Sequence, residues 1–237
     1  MLPRKDIHAP EEHRLEEELR VCDPEQADTS RDIESWRVFR IMAEIVEGFA
    51  VLRKYRLAAT FFGSSRCSIE DTIYNEAKEL ATCLVKSGFA IVTGGAGGIM
   101  EAANRGAFEA GGQSVGFNIA LPEEQHVNTF LTEKKTFNYF FTRKVMLAFA
   151  SEVYIFFPGG YGTLDELFEM LTLVQTKKIK RIPIILVGKD FWTPLIDVLE
   201  NHLCAKYHTI DRADSKLYTL VDSVGEAHTA VLDLVKC

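Results

Sequence analysis

The clearest set of chemically active side chains lies in one short run, Pro158–Glu166. Thr163 and Glu166 stand three residues apart where a helix is expected to begin, which is the spacing of a capping box. A bound phosphate would compete for the same backbone N–H groups and would leave Glu166 free to face a sugar one turn away. A carboxylate in that place can stabilise an oxocarbenium-like transition state and hold a water molecule. The residues alone leave both interpretations open.

Three glycine-rich turns, each placed before a predicted helix, are suited to close approach by an anionic ligand. Glycine removes the Cβ atoms that would block a bound group, and free N–H groups at the positive end of a helix dipole favour a phosphate. Strand-to-helix turns also need glycine for their own geometry, so one such turn is weak evidence and three are stronger. The turns are Gly63-Ser64-Ser65, Gly94-Gly95-Ala96-Gly97-Gly98 and Pro158-Gly159-Gly160-Tyr161-Gly162-Thr163.

The spacing of these glycines excludes two common nucleotide-binding motifs. The turn at 94–98 contains no G-x-G-x-x-G fingerprint, and no Gly-Lys-Ser/Thr follows a glycine at the Walker A spacing. Neither NAD nor ATP is therefore the expected ligand, and we expect no cofactor.

Short apolar runs alternate with helical segments from Leu57 onward, which is the pattern of βαβ units. Parallel strands need crossovers of about this length. We expect an α/β fold, a Rossmann-like open parallel sheet with helices on both faces, whose ligands lie at the carboxyl ends of the strands. The predicted strands are 57–62, 89–93, 113–117, 152–157 and 182–187, and the predicted helices are 69–86, 98–109, 139–150, 164–176 and 191–205.

Residues 1–55 are predicted to form a helical extension to a single globular domain, residues 56–237. Acidic residues crowd the first 30 positions, which predicts a loosely held helical arm. From Asp32 to Tyr55 apolar residues recur at steps of three and four, so a long amphipathic helix is expected. This helix either covers a face of its own sheet or contacts a second subunit.

Composition excludes several classes of protein. The 237 residues are 47% hydrophobic and 26% charged, which is typical of a globular chain rather than a disordered or fibrous one. The net charge of −7 provides no global positive field for nucleic acid or an anionic membrane surface. The five cysteines are odd in number and widely spaced, and the chain starts without an apolar signal region, so a cytoplasmic location is expected.

The run at 158–166 resembles a known family. It matches the motif P-G-G-x-G-T-x-x-E at every fixed position, and Arg143-Lys144 corresponds to a second signature, R-K. Both motifs, together with the Gly-Ser-Ser and Gly-Gly-x-x-Gly-x-Met turns, are similar to the Lonely Guy family of cytokinin riboside 5′-monophosphate phosphoribohydrolases, once mislabelled lysine decarboxylases. The resemblance covers about Leu57 to Ala205.

The resemblance implies a reaction and a set of site residues. The reaction is hydrolysis of the N-glycosidic bond of an adenine-type nucleoside 5′-monophosphate, without a metal, in a homodimer or larger homo-oligomer. Arg143 and Glu166 would be the catalytic pair. The residues implied to bind phosphate or other parts of the substrate are Gly63, Ser64, Gly94, Gly95, Gly98, Met100, Lys144, Gly159, Gly160, Gly162 and Thr163.

Two departures from the family pattern affect the expected pocket. Phe140 and Phe141 replace a methionine-histidine pair before the R-K, and they either belong to the core or widen an apolar wall against which a base stacks. Glu101 follows Met100 where the family commonly has glycine, and it either caps a helix or alters the ribose end of the pocket.

Other residues are weaker candidates for the site. His126 lies in a predicted loop, where it could contact a ligand. Cys67 could be read as a nucleophile, but no nearby base is specified, so it is interpreted as a packing residue. Lys134 and Lys135 are expected on an edge segment, where such charges protect a strand edge. The alternative function is a non-catalytic nucleotide or molybdenum-cofactor carrier of similar fold. Lysine decarboxylation is discarded because no lysine stands in a recognisable Schiff-base context.

Overall fold

The fold is built on a parallel sheet. The structure, a computed structural model, describes residues 35–120 and 127–235, so the predicted acidic arm and His126 lie outside the described residues. The chain divides into two compact units, Met1–Arg40 and Ile41–Cys237, and the second unit contains the sheet. The domain boundary predicted at residue 55 stays a prediction.

The described helices and strands alternate along most of the chain, as the apolar pattern predicts, except that β4 follows β3 directly. The strands are β1 (Ala58–Phe62), β2 (Ala90–Thr93), β3 (Ser114–Ile119), β4 (Glu133–Phe137), β5 (Val153–Phe156), β6 (Ile184–Val187) and β7 (Thr219–Val221). The α-helices are α1 (Ser35–Leu52), α2 (Thr72–Lys86), α3 (Ile99–Glu109), α4 (Phe140–Ala148), α5 (Tyr161–Gln175), α6 (Lys189–Val198) and α7 (Val224–Leu234). A π-helical segment, Leu199–Lys206, continues α6, and a 3₁₀ turn spans Asp214–Lys216.

The sheet has the order β4-β3-β2-β1-β5-β6-β7, and every described pair is parallel. The order reverses between β1 and β5, so the turns that follow these two strands flank the crevice where open α/β sheets bind ligands. The predicted Rossmann-like fold is confirmed. β4 is an edge strand, as expected for the segment that carries Lys134 and Lys135.

Apolar side chains cover both faces of the sheet. One core cluster joins the strands to α2, α3 and α7, and the other joins them to α4, α5 and α6. Ile45, Val51 and Leu52 of α1 pack against the second cluster, so α1 covers part of its own sheet. A contact of α1 with a second subunit stays a prediction.

Gly98 shows how tightly the turns at the carboxyl edge are packed. Its φ of +67° is a left-handed conformation that residues with a Cβ rarely adopt. A Cβ here would also overlap the Ser64 carbonyl oxygen and would lie 2.6 Å from the carbonyl carbon of Ser65. Gly111 has a similar φ of +74° but open space around it.

Gly98→Ala and Gly111→Ala therefore separate backbone strain from steric overlap. We expect Gly111→Ala to lower the free energy of unfolding by ~1 kcal/mol through the left-handed conformation alone. Gly98→Ala should cost at least ~2 kcal/mol more, because the turns must move apart. Urea denaturation of both variants measures the difference, and equal losses would contradict the packing described for Gly98.

Candidate active site

Ser64 joins the three glycine-rich turns through its backbone. Its N–H donates to the carbonyl oxygen of Pro158 at 3.0 Å, and its own carbonyl accepts from the N–H of Ile99 at 2.9 Å. The turn after β1 is thereby bonded to the turn after β5 and to the start of α3. The predicted convergence of the three turns at one sheet edge is confirmed.

Close approach at Gly63 and Gly159 supports the same arrangement. A Cβ at Gly63 would lie 2.7 Å from Ile99 Cγ1, and a Cβ at Gly159 would lie 3.0 Å from the Ser64 nitrogen. A side chain at either position would push the turns apart. Both glycines are therefore needed for packing, whatever else they do.

The turn after β2 brings Arg143 and Met100 together. A Cβ at Gly94 would overlap Arg143 Nη2 and would lie 2.9 Å from Met100 Sδ. The guanidinium from α4 and the thioether from α3 thus lie against the same glycine. This contact links three of the predicted site residues.

The Arg143 side chain is held from more than one side. Its Nε donates to the carbonyl oxygen of Phe117 at 2.7 Å, and its Cζ lies 5.8 Å from the centroid of the Phe140 ring. Burial lowers the pKa of Arg143 from its ordinary value, and the charge of Glu166 partly opposes that shift. The Nε bond fixes the plane of the guanidinium and leaves its Nη groups on the side of Gly94.

Glu166 is a buried carboxylate, only 8% exposed, on the inner face of α5. Burial raises its pKa to about 7, and the charge of Glu169 adds to the rise while those of Lys144 and Arg143 oppose it. α5 begins at Tyr161 with Gly160 as its N-cap and has no side-chain cap hydrogen bond. The capping-box interpretation of Thr163 and Glu166 is therefore wrong, because both residues lie inside the helix.

The turn before α5 is open where a ligand would approach. A Cβ at Gly160 or Gly162 would meet nothing within 4 Å. Thr163 is buried directly behind, and its N–H donates to the Gly160 carbonyl at 3.0 Å. The N–H groups before Thr163, at the very start of the helix, have no acceptor within the helix, so a turn of this kind is suited to an anion. Contact of this turn with a phosphate stays a prediction.

Lys144 pairs with two carboxylates of α5. Its Nζ is 2.5 Å from Asp165 Oδ2 and 3.2 Å from Glu169 Oε2. The hydrogen bond to Asp165 contributes to a raised pKa of Lys144, against the effect of burial. Lys144 acts on Glu166 through charge, and its predicted contact with substrate stays a prediction.

A buried polar network supports the 94–98 turn from behind. Thr93 Oγ1 accepts from the Gly95 N–H at 2.8 Å and donates to Asn104 Oδ1 at 2.5 Å. Asn128 donates through its backbone N–H to Gly95 O and through Nδ2 to Ala96 O, both at 3.0 Å. These bonds fix the turn, so its shape does not depend on a ligand.

Asn118, at the end of β3, completes this support. Its Nδ2 donates to Gly95 O at 3.2 Å, and its side chain fills the space above the Gly95 Cα. Oδ1 is buried and has no hydrogen-bond partner among the described residues. Sequence reasoning missed Asn118 because the predicted strand ends at Phe117, two residues before β3 ends at Ile119, and a hydrophobic pattern does not single out an asparagine.

Three interpretations left open by the sequence are now decided. Phe140 and Phe141 are 53% and 50% exposed, so the core interpretation of both is wrong. Glu101 does not cap α3, because its Oε1 accepts from the Tyr74 hydroxyl at 3.2 Å and α3 has no side-chain cap bond. Cys67 donates to the Ser64 carbonyl at 3.5 Å and burial raises its pKa, which fits packing rather than nucleophilic chemistry.

Other features of the described residues lie apart from this site. A cavity of about 730 Å³ runs along the carboxyl half of α5 beside the π-helical segment, and none of the predicted site residues lines it. Among residues 35–120 and 127–235, no three His, Cys, Asp or Glu side chains gather as metal ligands would. No described helix has the length and apolar character of a membrane span.

Comparison with known families places this chain. Residues 100–231, more than half of the chain, match the family described as "Possible lysine decarboxylase", so the chain belongs to that family. This is the Lonely Guy family that the motifs resemble.

Two named relatives and one solved structure share between 18% and 34% sequence identity with this chain. A probable cytokinin riboside 5′-monophosphate phosphoribohydrolase of Oryza sativa subsp. japonica is 34% identical over 58% of this chain and 56% of its own length. The cytokinin riboside 5′-monophosphate phosphoribohydrolase of Rhodococcoides fascians is 29% identical over 53% of this chain and 65% of its own. The chain thus spans less than two thirds of these relatives. The molybdenum cofactor binding protein of Rippkaea orientalis has a similar fold, with a TM-score of 0.57 at 18% identity over 76% of this chain and 96% of that one.

The raised pKa of Glu166 predicts how the free energy of unfolding of Glu166→Gln changes with pH. The folded protein binds the Glu166 proton more tightly than the unfolded chain does, so the stability associated with this group is lost as pH rises from about 4.5 toward 7. Glu166→Gln removes that loss. We expect its gain in unfolding free energy to be ~2 kcal/mol larger near pH 8.5 than near pH 5.5. Denaturant titrations at both pH values test this, and a gain independent of pH would show that Glu166 has an ordinary pKa.

Proposed function

We propose that this protein hydrolyses the N-glycosidic bond of adenine-type nucleoside 5′-monophosphates, releasing the free base and ribose 5-phosphate. The observation that carries the proposal is the buried carboxylate of Glu166, which lies one helical turn beyond an open glycine-rich turn. Its pKa is about 7, and it interacts electrostatically with Arg143. The named relatives support the reaction class. The particular base is the finer part of the proposal.

The phosphate is expected at the turn before α5. Gly160 and Gly162 leave space there, and free N–H groups at the start of α5, together with the positive end of the helix dipole, would favour an anion in that space. The turn flanks the point where the strand order reverses, which is where such sheets bind ligands. Binding energy from the phosphate, remote from the reacting bond, places the sugar for reaction.

Glu166 is proposed to act on the sugar carbon. It lies three positions after Thr163, so it stands about 4.5 Å further along the helix axis than Thr163, on the side away from the phosphate turn. As the bond between C1′ and the base nitrogen breaks, its electrons leave with the base, and the carboxylate stabilises the positive charge on the ribose. A water oxygen then bonds C1′, and its proton passes by way of Glu166 to the departing base. A pKa near the working pH suits this double role.

Arg143 and its surroundings are proposed to hold the nucleoside. Because Nε is bonded to Phe117 O, the Nη groups beside Gly94 are the ones that can donate to ribose hydroxyls or phosphate. The positive charge also favours the ionised form of Glu166. Met100 Sδ lies against the same glycine, and the half-exposed Phe140 ring lies over the guanidinium, so both can form a wall for the base.

The first prediction from this proposal concerns Glu166 itself. Glu166→Ala should lower kcat for release of adenine from AMP by at least ~100-fold, while the nucleotide still binds because the phosphate turn is unchanged. Asp165→Asn, which alters the exposed neighbouring carboxylate, is the matched control and should retain turnover. Chromatography of base and ribose 5-phosphate after incubation with AMP or an N6-prenylated AMP, in EDTA, measures the reaction. Near wild-type turnover of Glu166→Ala would remove Glu166 from the mechanism.

The second prediction concerns pH. If ionised Glu166 is required, kcat/KM rises with pH through about 7. Glu169→Gln removes a charge that raises the pKa of Glu166 and should move this limb to lower pH, whereas Lys144→Met removes a charge that lowers it and should move the limb to higher pH. The ionisation of the substrate phosphate is the same for all variants. A limb that stays in place in both would therefore belong to the substrate and not to Glu166.

A further inference from the structure

Helix α1, which lies outside the family motifs, carries a buried carboxylate. Glu44 is only 6% exposed, although its helix neighbours on the outer face are open to solvent. Burying a charged side chain is unfavourable unless hydrogen bonds replace its water. The partners of Glu44 therefore show what the carboxylate is placed to hold.

Within the part of the chain that the structure describes, the hydrogen bonds to Glu44 come from residues at the start of α4. Oε1 accepts from the backbone N–H of Asn138 at 2.7 Å and from its Nδ2 at 2.8 Å. Oε2 accepts from the hydroxyl of Thr142 at 2.6 Å. Burial alone would raise the pKa of Glu44, but these bonds outweigh it and the pKa lies below its ordinary value.

The bonds act as an external cap on α4. The N-cap residue of this helix, Tyr139, provides no side-chain cap bond. Glu44 instead bonds one residue before the N-cap and another in the first turn, and its negative charge lies at the positive end of the helix dipole. The register and direction of the first turn of α4 thus depend on α1.

Arg143 follows Thr142 directly, so a shift of the first turn of α4 would also move Arg143. Its guanidinium lies against Gly94, and its Nε donates to Phe117 O at 2.7 Å. The chain directly after α1 is bonded to the edge strand β4, because the side chains of Lys54 and Tyr55 both donate to Glu133. The chain of contacts runs from α1 to the first turn of α4 and then to the guanidinium.

We propose that Glu44 is a positioning residue that fixes the guanidinium of Arg143 by clamping the first turn of α4. Its effect on turnover rests on the proposed function of Arg143 and Glu166. Its effect on the position of Arg143 does not, and the two can be measured separately. The N-terminal helix is then part of the active-site framework and not only a cover for the sheet.

Three variants test the proposal in the full-length protein. Glu44→Ala removes every acceptor of the clamp and should lower kcat for AMP by about tenfold to 100-fold, with a much smaller change in KM. Glu44→Gln should rescue most of this loss, because its amide oxygen still accepts from Asn138 and its amide N–H can donate to Thr142 Oγ1. Glu47→Ala, one turn along the same helix and paired with Lys135, should match the wild type.

A readout independent of hydrolysis follows the guanidinium itself. The Nε–H of Arg143, bonded to Phe117 O, should give a slowly exchanging ¹⁵N–¹H resonance, identified by its loss in Arg143→Lys. We expect the resonance to shift and exchange faster in Glu44→Ala, and to persist in Glu44→Gln and Glu47→Ala. An unchanged resonance and unchanged kcat in Glu44→Ala would overturn the proposal.

The remaining outcomes are also decisive. If the wild type releases no base but the resonance responds as expected, the proposed function fails and the positioning role stands. If Glu44→Ala does not fold, Thr142→Val removes only the Oε2 bond. An unchanged Arg143 resonance in Thr142→Val would then overturn the proposal, and a shifted one would support it.

Discussion

The interlocking of three backbone turns around Ser64 is the constraint on which the rest of the site depends. One N–H and one carbonyl of a single residue bond the turn after β1 to the turn after β5 and to the start of α3. Such contacts are possible only where neighbouring residues lack a Cβ, as at Gly98 and Gly159. The carboxyl edge of the sheet therefore consists of closely packed glycine-rich backbone. The side chains of the candidate site, Met100, Arg143 and Glu166, come from α3, α4 and α5.

Glu166 and Arg143 are two buried ionisable groups of the candidate site, and burial makes the charged form of each unfavourable. Burial disfavours the charged forms of both Glu166 and Arg143, while each charge favours ionisation of the other. The pKa of Glu166 remains near 7 because burial outweighs the cations around it. A carboxylate that is costly to ionise in the free protein is suited to meet a positive charge that develops on a bound sugar. Under the proposed function, the same property makes Glu166 a position where activity lowers stability.

Support for the glycine-rich backbone and for the charges comes from residues that carry no chemistry of their own. Thr93 and Asn128 bond Gly95 and Ala96 of the 94–98 turn from behind, and Asn104 bonds to both Thr93 and Asn128. Buried hydrogen-bond networks of this kind favour a single geometry. Glu44 does the equivalent for α4 from outside the sheet. Glu166 and Arg143 are thus the groups proposed to contact substrate, and the residues named here hold the backbone around them.

The sequence by itself determined the fold class, the five central strands and the residues of the glycine turns, because burial on both faces of a parallel sheet leaves continuous apolar runs and the motif residues are contiguous. It missed β7, since three residues are too few for a periodic signal, and it also missed α7, which follows that short strand. It described β4 only as a charged edge segment. It could not decide between a capping box and a free Glu166, because that depends on where α5 begins. Asn118 behind Gly95, the exposure of Phe140 and the clamp from Glu44 were decided only by tertiary structure. These features join residues far apart in the chain, and local periodicity carries no information about which of them meet.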